Sequence, residues 1–198
     1  MGLYNHYQLK IKLKDSNPVI WRRMQVSGIL SLTDLHVAIQ VAFGWEDEEV
    51  FEFAVNKTIY TPDEEYVEEN KNNPAQTVLF TDAVAVEDII TKERQSFIYI
   101  YDFDCDWEHE VFVEKIIEND TEYEIPYCLS GEGACPVEKI GGMSDYYNLL
   151  SSFRNPQDEK HEDAIELLGN DFDPNKFNLK ETNAYMVSVF DENDEDEN

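Results

Sequence analysis

Strict alternation opens the chain. Tyr7-Gln8-Leu9-Lys10-Ile11-Lys12-Leu13-Lys14 puts apolar residues at odd positions and polar ones at even positions. That period of two predicts a strand with one wet face. Asn17-Pro18 marks a turn, and Val19 to Val26 predicts a second strand, so the first two elements read as an antiparallel hairpin carrying its basic residues outward. The period then changes to that of a helix. Ser31 stands as an N-cap with Asp34 three residues on, apolar side chains fall at Leu32, Leu35, Ile39 and Phe43, and Gly44 supplies the stop. Phe51 to Val55 and Lys57 to Tyr60 predict a short hairpin, Thr77 to Phe80 a strand, and Val86 to Ile90 a turn or two of helix. Residues 62–75, with two prolines and a run of acids, read as an acidic loop. Phe97 to Ile117 is β-rich, residues 126–143 read as an irregular glycine- and proline-bearing loop, and helices are predicted at about 144–154 and 158–168. Strands early, helices late and no βαβ repetition predict an α+β single domain, a mainly antiparallel sheet packed with a few helices. The expected domain spans 1–190, followed by a disordered acidic tail over 191–198.

Composition supports one packed core: 42% of the 198 residues are hydrophobic and 13% aromatic. The longest nearly apolar run, Val37 to Phe43, is broken by Gln40 and falls far short of the ~20 residues that span a bilayer, so no membrane association is expected. Met1 to His6 has neither a basic start nor an apolar stretch and does not read as a signal peptide. Three cysteines, Cys105, Cys128 and Cys135, make a disulfide scaffold unexpected and fit a cytoplasmic setting.

Charge changes the picture more. Forty-three acids against 15 bases give a net charge of −28. Phosphate backbones are held by Lys and Arg that release counterions, so direct nucleic-acid binding is not expected and a basic protein partner is. The balance is uneven. The first 23 residues hold Lys10, Lys12, Lys14, Arg22 and Arg23 against Asp15, a local +4.

Between Phe97 and Val113 the odd positions are largely aromatic or aliphatic, while the even positions from Asp102 read Asp102, Asp104, Asp106, Glu108 and Glu110. As one regular strand this would line five carboxylates along one face, about 6.6 Å apart. Each neighbouring pair then repels by roughly 0.6 kcal/mol in water and about 2.5 kcal/mol at an effective dielectric of 20. One reading is therefore a solvated face, or a turn around Asp104-Cys105-Asp106 with its carboxylates outward. The competing reading is a divalent-metal site built from Asp102, Asp106 and Glu108, since oxygen ligands suit Mg²⁺, Ca²⁺ or Mn²⁺. No EF-hand or zincin spacing supports it. His109, on the aromatic side, reads as a core histidine or, beside a carboxylate, as a candidate acid-base group. Cys128 and Cys135 could give two zinc ligands with His109 as a third, but a close Cys-x2-Cys pair is lacking and buried thiols are the favoured reading. His36 and His161 read as structural. Gly131-Glu132-Gly133 and Gly141-Gly142 match no phosphate-binding pattern.

Five ordered blocks carry a resemblance. They are Pro18-Val19-Ile20-Trp21-Arg22-Arg23, then Leu35-His36 with Gln40 and Phe43-Gly44-Trp45, then Tyr101-Asp102-Phe103 with Asp106-Trp107-Glu108-His109. Tyr127-Cys128, Gly131-Glu132, Ala134-Cys135-Pro136, Glu138 and Gly141-Gly142 follow, and Phe172-Asp173-Pro174 with Phe177 closes the series. Together they resemble the plasmid pRiA4b ORF-3-like family over roughly residues 5 to 185. The resemblance implies a prokaryotic α+β domain, often carried on plasmids or insertion elements, with no established reaction. A resolvase-like label borne by some members gains no support from a chain whose arginines are Arg22, Arg23, Arg94 and Arg154. Two departures stand out: Glu49-Val50-Phe51-Glu52-Phe53 where the family commonly carries a histidine, and Asp104-Cys105 where it has a Gly-Asp step.

Two functions compete. The favoured one is a non-enzymatic acidic module that engages a basic protein partner, with Asp104, Glu110, Arg22 and Arg23 as candidate partner-binding residues. The alternative is a divalent-metal-dependent hydrolase, acting on phosphodiesters, with Asp102, Asp106 and Glu108 as ligands and His109 moving the proton. No organic cofactor is implied, and a divalent metal is the one inorganic group the acidic segment would take.

Overall fold

The computed structural model describes residues 4–120, 125–138 and 140–192. Among the described residues, eight strands form a single sheet: β1 (Tyr4–Leu13), β2 (Trp21–Ser27), β3 (Phe51–Val55), β4 (Thr58–Thr61), β5 (Thr77–Phe80), β6 (Ser96–Tyr101), β7 (Trp107–Asp120) and β8 (Tyr127–Glu132). Their order across the sheet is β5-β4-β3-β6-β7-β1-β2-β8. Every pairing is antiparallel except β4 with β5. The helices are α1 (Leu32–Phe43), α2 (Glu64–Asn70), α3 (Val86–Ile89), α4 (Met143–Arg154), α5 (His161–Leu168) and α6 (Leu179–Glu192). This is the mainly antiparallel α+β domain that the order of periodicities predicts.

One face of the sheet is the core. Leu9, Ile11 and Leu13 of β1, Phe51 and Phe53 of β3, Phe97, Tyr99 and Tyr101 of β6, and Trp107, Val111 and Val113 of β7 are all buried. Covering a large apolar or aromatic side chain stabilises by roughly 1.5–3 kcal/mol, so this row supplies much of the hydrophobic driving force. α1 packs against both β2 and α6. Sandwiched in this way, it buries nine of its residues, including the polar His36 and Gln40. Its ends follow the sequence signals. Ser31 Oγ accepts from the Asp34 amide while the Asp34 side chain reaches back to the Ser31 N–H, and Gly44, at φ +79, donates its amide to the Gln40 carbonyl.

Four elements depart from the expected layout. α2 lies in the segment expected to be an acidic loop, and none of its seven residues is buried. β8 lies where an irregular loop was expected. It is an edge strand, and Asn183 of α6 covers its backbone: the Asn183 Oδ1 accepts from the Cys128 amide and its Nδ2 donates to the Cys128 carbonyl, both at 2.8 Å. At Cys128, then, the edge is no longer open to another strand. α6 was not foreseen. It extends to Glu192, taking in the first two residues of the expected tail, and 193–198 lie outside the described residues. Finally, the β-rich span from Phe97 is two strands separated by residues 102–106.

Candidate functional site

The acidic segment is a hairpin turn. Asp102 takes a left-handed backbone conformation at φ +56, and its Oδ1 accepts the amides of Asp104 and Cys105 at 3.1 Å each. Its carbonyl accepts the amides of Cys105 and Asp106, and Asp106 repeats the φ of +56. Asp and Asn tolerate this conformation because their short side chains bond locally. Register across the hairpin pairs Tyr101 with Trp107, Tyr99 with His109 and Phe97 with Val111. Odd positions therefore face odd positions, and the predicted aromatic wall survives, folded back on itself to twice the width.

Asp102 is buried, Asp104 and Asp106 are exposed in the turn, and Glu108 and Glu110 lie on the wet face of β7. His109, between those glutamates, points the other way into the core, as neighbours in a strand must. Among the described residues, no group of three or more His, Cys, Asp and Glu side chains could hold a metal ion. The wet-face glutamates have basic partners instead. β7 runs beside β1, so Lys14 bonds Glu108, Lys12 Nζ lies 3.0 Å from Glu110, and Arg23 makes a two-pronged bond to Glu114 at 2.6 and 2.8 Å. Arg23 holds the Glu114 carboxyl below its ordinary pKa, and the bond to Glu108 raises that of Lys14. Glu110 and Arg23, both expected to meet a partner, are thus occupied within the sheet.

Arg22 corrects the expectation more sharply: it is 2% exposed. On β2, Trp21 and Arg23 sit beside the wet-face residues Lys12 and Lys10, whereas Arg22 pairs with buried Ile11. All five of its N–H groups are used. Nε donates to Ala42 O at 2.7 Å, Nη1 to Trp21 O at 2.8 Å and Glu132 O at 3.0 Å, and Nη2 to Gly133 O and Cys135 Sγ at 3.0 Å each. The guanidinium lies 4.0 Å from the centre of the Phe177 ring and 5.1 Å from that of Phe43. It ties β2, the end of α1 and the segment after β8 into one body, and no partner can reach it.

His36, His161 and His109 are each held within the fold. His36 stacks on Phe51 at 3.6 Å, with Nδ1 2.7 Å from Tyr99 Oη and Nε2 2.6 Å from Asp47 Oδ1. Gln40 Nε2 donates to the same Tyr99 hydroxyl at 2.8 Å. The chain is satisfied when Tyr99 donates to Nδ1 and Nε2–H donates to Asp47, which pins the loop after α1. His161 Nδ1 donates to Ser152 O at 3.0 Å. His109 is enclosed edge-on by Phe43 and Trp45 and tilted to Tyr99, and neither ring nitrogen makes a hydrogen bond. Burial drives its pKa down to about 3, only partly opposed by the backbone at Trp107 and Tyr99 and assisted by Arg22. Cys105, Cys128 and Cys135 are each pushed up to about 11 by burial, so all three stay thiols at neutral pH.

One end of the sheet gathers features that the sequence did not single out. The loop 46–50, the turn 102–106 and the start of α2 meet there: the Asp102 amide donates to Val50 O at 2.9 Å, and Asp63 caps α2 by accepting from the Tyr66 amide at 2.9 Å. Between them opens a pocket of about 550 Å³ lined by Val50, Glu52, Thr61, Pro62, Asp63, Tyr66 and Phe103. Behind it, Tyr101 Oη donates to Glu138, which also accepts the Glu46 amide at 2.8 Å, and Trp45 Nε1 donates to Pro136 O at 3.0 Å. Burial and Glu138 together raise the Tyr101 pKa. These bonds fix the loop that carries Glu46 to Val50.

The fold and this end of the sheet define an α+β protein with one long, mainly antiparallel sheet, a fully bonded buried arginine and an acid-rich rim. The chain belongs to the plasmid pRiA4b ORF-3-like protein family, whose model matches residues 5–181. It is 30% identical over 178 residues to the uncharacterized protein y4hQ of Sinorhizobium fredii, covering 89% of this chain and 88% of that one. Its fold is similar to the crystal structure of the protein of unknown function MM3350 from Methanosarcina mazei, with a TM-score of 0.78, 31% identity and coverage of 91% and 98%.

Proposed function

We propose that the protein is a non-catalytic interaction module that engages a basic protein segment through the acidic end of its sheet. The observation that carries this reading is the partition of charge. Glu108, Glu110 and Glu114 are taken up by Lys14, Lys12 and Arg23. The contiguous end built from residues 46–49, 63–65 and 102–106 carries Glu46, Asp47, Glu48, Glu49, Asp63, Glu64, Glu65, Asp102, Asp104 and Asp106. The one base between residues 44 and 70, Lys57, lies at the far end of β3. Such a field steers cationic partners and sets their rate of encounter. Hydrolytic chemistry draws less support, because the proposed ligands are dispersed and the proposed base is enclosed and neutral.

Calorimetry with the peptide acetyl-(Lys-Gly)4-amide tests the proposal on the full chain. Binding is expected in 20 mM salt and weakens about tenfold or more at 200 mM, as screening shortens the reach of the field. Binding that ignores salt, or none at low salt, would sink it.

A further inference from the structure

The pocket at the acidic end has an unusual composition for a surface. Phe103 is 52% exposed, Val50 51% and Tyr66 36%, three large apolar side chains left open around one hollow. Isolated exposed apolar residues are common, but a contiguous group around a concavity marks a contact site. Glu52 stands in this wall. It occupies the wet side of β3, between the buried Phe51 and Phe53, and pairs with Ile100 across the sheet. It shares the lining of the pocket with Pro62, Tyr66 and Phe103, and it is half-buried with no hydrogen bond or ion pair among the described residues. Burial raises its pKa, which reports the same desolvation. Asp63 adds a second carboxylate at the rim.

An apolar-walled hollow with a desolvated carboxylate inside it fits a side chain that is aliphatic along its stem and cationic at its tip. Lys and Arg have that construction, and an aromatic face such as Phe103 or Tyr66 attracts the tip as well. A purely apolar occupant would bury the carboxylate further with nothing to compensate it. An anion would be repelled. We infer that the Glu52 pocket receives one Lys or Arg side chain of the basic protein segment, its stem lying against Phe103, Tyr66 and Val50 and its charge meeting Glu52. This inference rests on the proposed function and assigns the anchoring contact within it.

Variants of the full chain separate the two claims. Glu52→Gln removes the charge and keeps the shape, and because it relieves a desolvated carboxylate it leaves folding intact. Phe103→Ala removes the exposed wall at a turn position that contributes nothing to the core. Glu166→Gln, on the exposed side of α5, makes the same charge change outside the pocket. Titrated with acetyl-(Lys-Gly)4-amide at 20 mM salt, Glu52→Gln and Phe103→Ala are each expected to bind about tenfold more weakly than wild type, and Glu166→Gln within about twofold. The carboxyl carbon resonance of Glu52, followed by NMR, should titrate at lower pH when the peptide is bound. Equal affinity in all three variants would overturn the pocket assignment and leave the acidic-module reading standing. Absence of binding to wild type would overturn both. Spermine binding with Glu52 dependence while the peptide fails to bind would replace a protein partner with a polyamine.

Discussion

His109→Phe tests whether the imidazole is an enclosed core group or a working base. In the unfolded chain a histidine titrates near 6.5, whereas burial holds the native pKa at about 3. Between those values the unfolded chain binds a proton that the native protein refuses. Stability from this residue is therefore fully present above pH 6.5 and is lost as pH falls toward 3. Linkage gives a slope of at most about 1.4 kcal/mol per pH unit, and integrating the two titration curves from pH 7 to pH 4 gives roughly 3 kcal/mol. Titration of the carboxylates, and the relief of self-repulsion that accompanies it, is common to wild type and variant and cancels in the comparison.

Urea unfolding followed by tryptophan fluorescence at pH 7, 6, 5 and 4 reads the difference. The wild type should lose about 3 kcal/mol more than His109→Phe over that range. The offset at pH 7 carries no weight, because the larger Phe ring brings its own packing strain of about 1–3 kcal/mol while removing two unbonded nitrogens. The slope is the test. Curves that stay parallel within about 0.5 kcal/mol would refute the enclosure argument. So would imidazole proton resonances of His109 that titrate between pH 5 and 8, the behaviour of a solvent-reachable base.

Arg22→Lys offers three donors where five are used, and strands acceptors among Ala42, Trp21, Glu132 and Gly133; a loss of about 2–3 kcal/mol in urea unfolding is expected. Gly142→Ala combines φ +93 with a Cβ that would lie 2.8 Å from the Cys105 carbonyl oxygen, so its melting midpoint should fall by an amount equivalent to about 2 kcal/mol. Lys12→Ala, by contrast, breaks a pair in which both side chains are about 40% exposed, and denaturant unfolding should register less than about 1 kcal/mol.

Local signals made the first hairpin and α1 legible: alternation over Tyr7 to Leu13, the Ser31 and Asp34 cap, and Gly44 all act within a few residues. Parity was legible as well, because the turn from Asp102 to Asp106 pairs odd positions with odd ones and leaves the buried set unchanged. The turn itself was harder to read. Its two left-handed positions are aspartates, not glycines, so the alternation of acids runs through it without a break. β8 was hidden by Gly131 and held by Asn183, 55 residues from Cys128, a contact no local pattern encodes. α2 lacks an apolar stripe because none of its residues is buried. Glu52 reads in sequence as an ordinary wet-face residue of Phe51-Glu52-Phe53, and only the fold places it in one pocket wall with Pro62, Tyr66 and Phe103.

The same register bears on what the basic hairpin has free to offer a partner. Its five cations are a local concentration of positive charge in a chain of net charge −28. Arg22 is interior, and Lys12, Lys14 and Arg23 are each bonded to a glutamate of β7. Lys10 remains, 4.3 Å over the Trp21 ring and near Glu114. Affinity for a phosphate backbone scales with the number of cations that displace counterions, and a face whose cations already neutralise carboxylates has few to offer. Pairing on that face also decides where the surplus charge lies: with the hairpin's bases spent on β7, the acids at 46–49, 63–65 and 102–106 are left to set the field at the end of the sheet where the Glu52 pocket opens.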